Sequence, residues 1–237
     1  QAPVVAILLA MVASEDIYTS YDDTKAIIFS IGCASIWLGL LNSVQEICKE
    51  KVILQKEHMA DLKLSSYLLS KFIVQGIIAF IQATLLVGIF QKIVGSSENS
   101  ILINGYWDIQ FVSFLSILAA ASTGLFISAV VKNSNIAMSV IPLILVPQLL
   151  YSGMLFKLDE ITDFVSNFVL CRWTVEALGT SVKLNDLTHI AQTINPLIEI
   201  EPENYFTFTT EHMIEVIGII LLMTAVLMLA SYFVLMD

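Results

Sequence analysis

Residues 42–71, NSVQEICKEKVILQKEHMADLKLSSYLLSK, form the only long run of dense charge between two strongly apolar runs of this sequence. They include five of the chain's ten lysines and four acidic residues, and they contain neither proline nor glycine. Since proline and glycine interrupt helices more strongly than any other residue, this segment is predicted to be helical. We therefore expect a charged helical projection that connects two membrane spans.

The overall composition indicates a membrane protein. Hydrophobic residues make up 57% of the chain, charged residues only 14%, and the mean hydropathy is +0.83. This apolar content exceeds that of an ordinary soluble domain, so we predict an all-α, multi-pass membrane protein in contact with lipid. The net charge of −10 argues against a nucleic-acid partner, because such proteins bind phosphates through a basic surface that is missing here.

Six apolar runs predict a bundle of six transmembrane helices in one domain, residues 1–237. The runs cover residues 3–13, 26–41, 72–94, 109–131, 136–154 and 213–235. A helix rises ~1.5 Å per residue and the hydrocarbon core is ~30 Å thick, so the first run is too short to cross it. We expect the chain to begin inside its first span, with native residues upstream.

The fourth run has a stripe of small residues. Ser116, Ala120, Gly124 and Ser128 recur at four-residue spacing and therefore share one helix face. Small side chains let a neighbouring helix approach closely, which is how membrane helices pack where lipid competes for apolar surface. The stripe predicts a close helix–helix contact.

The fifth run contains two prolines, Pro142 and Pro147, and Gln148 follows the second. Each proline removes a backbone donor and bends a helix. Broken helices are tolerated in membranes where they face protein or a wet cavity. The run is therefore either part of a transport pathway or a kinked packing helix, and both interpretations stay open.

Residues 155–212 are the least membrane-like part of the chain. Apolar residues recur at helical spacing between Ile161 and Leu178, which predicts one helix that begins at Asp159 and ends at Gly179. Arg172, the only arginine, precedes Glu176 by four residues, a spacing suited to a structural ion pair. We expect a helical or re-entrant segment before the last span.

The basic residues predict the orientation of the chain. Residues 42–71 and 132–135, on one side of the predicted bundle, carry six basic residues in 34 positions, and the opposite side spreads five over a greater length. By the positive-inside rule, residues 42–71 are predicted to be cytoplasmic and residues 155–212 extracytoplasmic, in the cell membrane.

The sequence contains no recognisable catalytic or metal-binding constellation. A nucleotide-binding glycine loop ending in Gly-Lys-Ser or Gly-Lys-Thr is missing, and so is a Gly-x-Ser-x-Gly elbow. His58, His189 and His212 fall on different sides of the predicted membrane, which excludes a shared metal site on this topology. Cys33, Cys48 and Cys171 fall in three separate regions, which predicts no disulfide. We expect a segment that is not itself an enzyme and that binds no cofactor.

Several stretches resemble one known family. In the charged segment the similar residues are Glu50, Lys51, Ile53, Lys56 and Glu57, followed by Ser66, Tyr67 and Lys71. They look like the Glu-Arg-x-x-x-x-Arg-Glu and later Tyr-x-x-x-Lys pattern of ABC exporter permeases of the White, or G, subfamily, in a bacterial-type half-transporter. Further similar stretches are Gln1-Ala2-Pro3, Ser152-Gly153, Arg172-Trp173 and Glu176-Ala177-Leu178. The sequence departs from the family at Lys51 and Lys56, where arginine is usual.

This resemblance implies a transporter that works with an ATP-hydrolysing partner. A nucleotide-binding domain that binds ATP and Mg²⁺ is expected upstream on the same chain, and two copies are expected to form a homodimer. The implied contacts with that domain are Glu46, Glu50, Lys51, Ile53, Lys56 and Glu57. The implied substrate path runs between the second and fifth spans, along Phe29, Cys33, Ile36, Trp37, Leu40, Met138, Ile141, Leu145 and Gln148.

Other interpretations stay open from the sequence alone. Residues 42–71 also fit a loop that is solvated by its own charges, and the apolar path residues also fit core packing or lipid contact. A rival function is a membrane-embedded sensor or anchor, in which residues 155–212 bind a ligand and the charged segment recruits a cytoplasmic signalling partner. The sequence reveals neither the substrate nor, apart from the resemblance, the direction of transport.

Overall fold

The computed structural model describes residues 1–14, 17–58, 62–97, 99, 101–156, 159–188 and 204–236. Within these ranges the side chains of five helical residues are outside the description: Val52, Gln55, Glu57, His58 and Glu160. The described part is helical and contains no strand. Its helices are α1 (Ala2–Val12), α2 (Tyr21–Ser43), α3 (Lys51–His58), α4 (Leu64–Val94), α5 (Gly105–Val130), α6 (Ser134–Leu150), α7 (Glu160–Ser166), α8 (Leu170–Ser181), a 3-10 helix at Asn204–Phe206, and α9 (Thr210–Met236). Residues 184–188 add a further helical turn.

The six predicted apolar runs coincide with six helices. Four of these, α2, α4, α5 and α9, are long and apolar enough to cross a membrane, with 23, 31, 26 and 27 residues. The other two, α1 and α6, are apolar but have only 11 and 17 residues. The all-helical membrane class is thereby confirmed, with four candidate spans and two shorter apolar helices in the described part.

Helix α5 lies at the centre of the bundle and packs against α2, α4 and α9. Its contact with α2 depends on glycine on both helices. A methyl group at Gly124 would overlap the hydroxyl of Ser43, and one at Gly39 would overlap the carbonyl oxygen of Ile117. The small-residue stripe predicted on this helix therefore faces α2, as close helix packing requires.

The predicted helix between Asp159 and Gly179 is interrupted. Helix α7 ends at Ser166 and α8 begins at Leu170, so the chain turns between them and α8 then extends beyond Gly179 to Ser181. The carbonyl oxygen of Asn167 accepts a hydrogen bond from Nε1 of Trp173 at 2.9 Å instead of continuing a helix. The Trp173 side chain thus takes the place of a backbone N–H group as the donor to this carbonyl oxygen.

Different segments of the chain pack at the two ends of the bundle. At one end, Ile47, Leu64 and Leu68 share an apolar cluster with Leu125 of α5, together with Met228, Tyr232 and Leu235 near the end of α9. At the other end, α8 packs against the start of α9, where Met213 and Val216 are buried. The charged segment and the Arg172 helix therefore lie at opposite ends of α9.

Candidate coupling and translocation site

The turn that joins α2 to α3, residues 44–50, is fixed to the end of α5. The Ser128 hydroxyl oxygen accepts hydrogen bonds from the backbone N–H groups of Ile47 and Cys48, both at 2.9 Å. Lys51 adds a third link, because its Nζ donates to the Ala129 carbonyl oxygen at 3.1 Å. A lysine suits this place, since the carbonyl groups at the end of a helix are unpaired and partly negative. The turn and α5 are thus held as one unit.

A second set of contacts joins the same turn to the start of α4. Glu50 accepts a hydrogen bond from the Tyr67 hydroxyl at 2.9 Å and pairs with Lys71 Nζ at 2.8 Å. Glu46 lies 3.5 Å from the same Nζ. The hydrogen bond from Lys71 is the main reason that the pKa of Glu50 lies below its ordinary value of 4.5. The turn therefore bridges α5 and α4.

These contacts divide the predicted coupling residues into two groups. Glu46, Glu50 and Lys51 bind other parts of the same chain. On α3, Ile53 is 58% exposed and Lys56 is also exposed, so both are available to a partner. The side chain of Glu57 lies outside the described residues.

Helices α2 and α6, on which the predicted path residues lie, are in contact. Four of the predicted path residues are buried in one apolar cluster: Ile36, Leu40, Ile141 and Leu145. Phe29 and Cys33 are half-buried against the same cluster. Trp37 is 53% exposed and Met138 is 43% exposed. In the isolated chain the first four therefore pack the interior, and Trp37 and Met138 face outward.

Gln148 makes a contact that links the proline-containing helix to α8. Its Oε1 accepts a hydrogen bond from the backbone N–H of Cys171 at 2.8 Å. The N–H groups in the first turn of a helix have no partner within that helix, so this amide caps α8 from a neighbouring element. Gln148 thereby ties α6 to α8.

Arg172 and Glu176 lie in a buried polar cluster on α8. Nη2 of Arg172 is 3.7 Å from Oε2 of Glu176, and the two residues are 8% and 4% exposed. Nη1 of Arg172 donates to Oδ1 of Asn167 at 2.8 Å, and the guanidinium lies over the rings of Trp173 and Tyr205. His212 at the start of α9 approaches Glu176 Oε1 to 3.3 Å. This cluster joins α8 to the last helix.

The family model described as "ABC-2 type transporter" matches residues 2–180. The chain belongs to the ABC-2 type transporter family. No curated protein matches it at a significant level. As a membrane domain of this family, the chain is the permease component of an ABC transporter and a multi-pass membrane protein, and permease domains of this family generally work with a nucleotide-binding domain. The match includes the whole of the charged segment, α6 and nearly all of α8.

Sequence reasoning overlooked several partners that the ABC-2 domain brings together. Tyr67 and Lys71 were part of the family resemblance, but nothing in their spacing indicated that both bind Glu50. Ser128 belonged to the small-residue stripe, although its hydroxyl binds a backbone turn. Only the contact of Ser128 could have been predicted from the sequence, because a serine within a small-residue stripe is able to form a hydrogen bond with the element that it faces.

The cysteines of the ABC-2 domain are free thiols, yet two of them meet. Cys171 at the start of α8 is buried in the apolar cluster against which Cys33 of α2 packs, and the two thiols are close enough to influence each other. The sequence assigns these two cysteines to separate regions, and the packing of α8 brings the regions together. The reason is that α8 returns against α2, where a methyl group at Gly32 would lie only 3.1 Å from Val175 Cγ2.

Proposed function

We propose that this chain is the permease domain of an ATP-driven exporter of the White/G type. The observation that carries the proposal is the way in which α3 is attached to the membrane helices. The turn before it is tied to α5 through Ser128 and Lys51 and to α4 through Glu50, while α3 itself leaves Ile53 and Lys56 exposed. A force applied to α3 is thereby passed to two membrane helices.

The partner that would apply this force is a nucleotide-binding domain upstream on the same chain. That domain would bind ATP and Mg²⁺ and perform the hydrolysis, so the segment described here needs no catalytic residues of its own. ATP binding would favour one of two arrangements of the bundle, because a ligand shifts a conformational equilibrium only by its difference in affinity for the two states. The resulting change is a rigid-body rearrangement that alternates access to the path.

The substrate path is proposed to lie between α2 and α6 of two copies of the chain. Trp37 and Met138 support this, since both are large apolar residues exposed on these two helices. Leu143 and Val146 extend the same exposed apolar surface along α6. A second copy would cover this surface, and an apolar lining would favour apolar or amphipathic substrates.

The orientation proposed for the domain places residues 42–71 in the cytoplasm and residues 155–212 on the extracytoplasmic side of the cell membrane. The separation of the two segments to opposite ends of α9 supports this arrangement. The excess of lysine in residues 42–71 supports the assignment of that end to the cytoplasm.

The test is a charge reversal on the exposed face of α3. Lys56→Glu is expected to reduce substrate-stimulated ATPase activity about tenfold in the complete transporter, because interface residues that matter are worth about 1–2 kcal/mol or more. Binding of ATP itself should be unchanged. ATPase and transport are measured after reconstitution into vesicles.

The matched control is Lys92→Glu, which reverses an exposed charge in the last turn of α4 at the other end of the bundle. It should leave both activities near wild type. Equal stimulation of the ATPase in Lys56→Glu and in wild type would refute the coupling role of α3. A normal ATPase response with loss of transport would instead place the defect in the path.

A further inference from the structure

A buried carboxyl group occupies the contact between α8 and the last helix. Oε1 of Glu176 lies 3.3 Å from Nε2 of His212, and the same Nε2 lies 2.9 Å from the carbonyl oxygen of Tyr205. A carbonyl oxygen only accepts hydrogen bonds, so Nε2 must carry the hydrogen. That single hydrogen serves two acceptors, and Glu176 has the longer of the two contacts.

The other carboxyl oxygen of Glu176 has no better partner. Oε2 lies 3.7 Å from Nη2 of Arg172, which is too far for a hydrogen bond, and it has no hydrogen-bond partner elsewhere in the described part of the chain. The guanidinium is held in place by Asn167 and by two aromatic rings. A buried carboxylate is costly unless it is both paired with a positive charge and hydrogen-bonded. Glu176 has only a long ion pair and a shared hydrogen bond.

The charged groups around Glu176 come from several elements. Arg172 on α8 favours its ionised form, whereas Glu215 on α9 and Asp163 on α7 oppose it. The Tyr205 hydroxyl donates to Asp163 at 2.7 Å, which keeps that acid close to the cluster. The described residues of α2, α5 and α6 contribute no further charge that acts on it.

Burial outweighs the attraction of Arg172 in this setting. It is the largest cause of a shift that raises the pKa of Glu176 to about 7, with Glu215 and Asp163 adding to it. The carboxyl group therefore changes its charge near neutral pH.

We propose that Glu176 and His212 bind one exchangeable proton at the contact between α8 and α9, and that losing this proton loosens the contact. With the proton bound, the carboxyl group is neutral and compatible with its buried position. Without the proton, it needs donors that the surrounding residues do not supply. The cavity beside it, lined by Ser152 and Gly153 among others, has room for about one water. The proposal does not depend on the transport function, because it concerns the packing of two helices.

The direction of the pH effect follows from the two protonation states. The pKa of Glu176 is about 7 in the folded protein, against an ordinary value of 4.5. Between these values the folded protein holds a proton that the unfolded chain has released, so the contribution of Glu176 to stability declines as the pH rises. The decline begins near pH 4.5 and is complete somewhat above pH 7.

The fluorescence of Trp173 provides the test, since its ring lies against Arg172. The full-length protein in detergent, with its other tryptophans replaced by phenylalanine, is titrated from acidic to alkaline pH. The emission is expected to change with a midpoint near pH 7, and Glu176→Gln should abolish this change. Asp186→Asn is the matched control, because it removes an exposed carboxylate that pairs with Lys183, and it should leave the midpoint unchanged.

A second variant keeps the proposal testable if Glu176→Gln does not fold. His212→Phe keeps the carboxyl group but removes its N–H donor, so the midpoint should move upward by about one pH unit. The proposal is overturned by an unchanged transition in Glu176→Gln, by the absence of any transition in the parent protein, or by an unchanged midpoint in His212→Phe.

Discussion

The hydroxyl of Ser128 on α5 supports the backbone turn formed by residues 44–50. It accepts two N–H groups, those of Ile47 and Cys48, and both residues are buried. A buried N–H without an acceptor costs about 1–3 kcal/mol, so the loss of one oxygen atom affects two groups at once. One serine therefore has a large share in holding the charged segment to the bundle.

Ser128→Ala is expected to destabilise the protein by about 2–4 kcal/mol, because it leaves two buried donors unsatisfied. Ser122→Ala is the matched control on the same helix, since the Ser122 hydroxyl is equally buried but only donates to the Leu118 carbonyl oxygen. The apparent melting temperature of each variant is measured in detergent. Similar melting temperatures for the two variants would contradict the role assigned to Ser128.

The residue pairs of the site differ in how far the sequence predicts them. Arg172 and Glu176 are four residues apart on one helix, so their proximity follows from helical geometry alone. Glu50 and Lys71 are 21 residues apart in the sequence, and Glu176 and His212 are farther apart still. Their proximity depends on how the helices pack, which single-sequence patterns do not determine.

At the scale of the helices, the contact between α2 and α5 depends on positions without side chains. Gly124 faces the hydroxyl of Ser43 and the backbone nitrogen of Val44, and Gly39 faces the backbone of α5. Added volume at Gly39 must displace the backbone of α5, and added volume at Gly124 must displace the Ser43 hydroxyl and press on the backbone of α2. The pair of glycines therefore sets the distance between the two helices.

Gly124→Ala is expected to destabilise the protein by about 1–3 kcal/mol, the usual cost of overpacking. Gly218→Ala provides the contrast, because a methyl group there meets no atom within 4 Å and alanine favours a helix. That variant should be neutral or slightly more stable in thermal unfolding. A Gly124→Ala protein as stable as Gly218→Ala would show that α2 and α5 are not in this close contact.

The return of α8 against α2 predicts a specific disulfide. Mild oxidation with copper phenanthroline should join Cys33 and Cys171, with the oxidant accepting the two electrons released by the two thiols. Mass spectrometry of proteolytic fragments should detect this pair and should not detect a bond from Cys48 to either residue. Cys33→Ser is the control and should eliminate the bond. A bond between Cys48 and Cys171 would contradict the packing of α8.

The sequence predicts which helices form better than it predicts where each helix begins and ends. The apolar runs indicate all six apolar helices, and the absence of proline and glycine correctly indicates helix α3. The prediction of helix throughout residues 42–71 is wrong for residues 44–50, which form a turn fixed by contacts with α4 and α5. The break between α7 and α8 was missed, because the apolar spacing continues through it while Trp173 and Arg172 bind Asn167. Side-chain contacts made only in the folded chain decide such breaks.

At the scale of the whole molecule, the fold separates two kinds of surface. One end of the bundle presents α3, a short helix that follows a turn bound to both α4 and α5. The flank formed by α2 and α6 presents exposed apolar side chains, among them Trp37 and Leu143. In the proposed function, the first surface binds an ATP-hydrolysing partner and the second faces another permease copy and the substrate.

The contact of α3 with a nucleotide-binding domain is the central claim, and photo-crosslinking tests it most directly. A photoreactive amino acid replaces Ile53, which is 58% exposed on α3, and in a second protein Ile103, which is 78% exposed beside the start of α5. In the complete transporter in native membranes, the probe at position 53 should crosslink to the nucleotide-binding domain and the probe at position 103 should not. A probe at position 53 that labels only lipid, or that labels no more of that domain than the probe at position 103, would contradict this account.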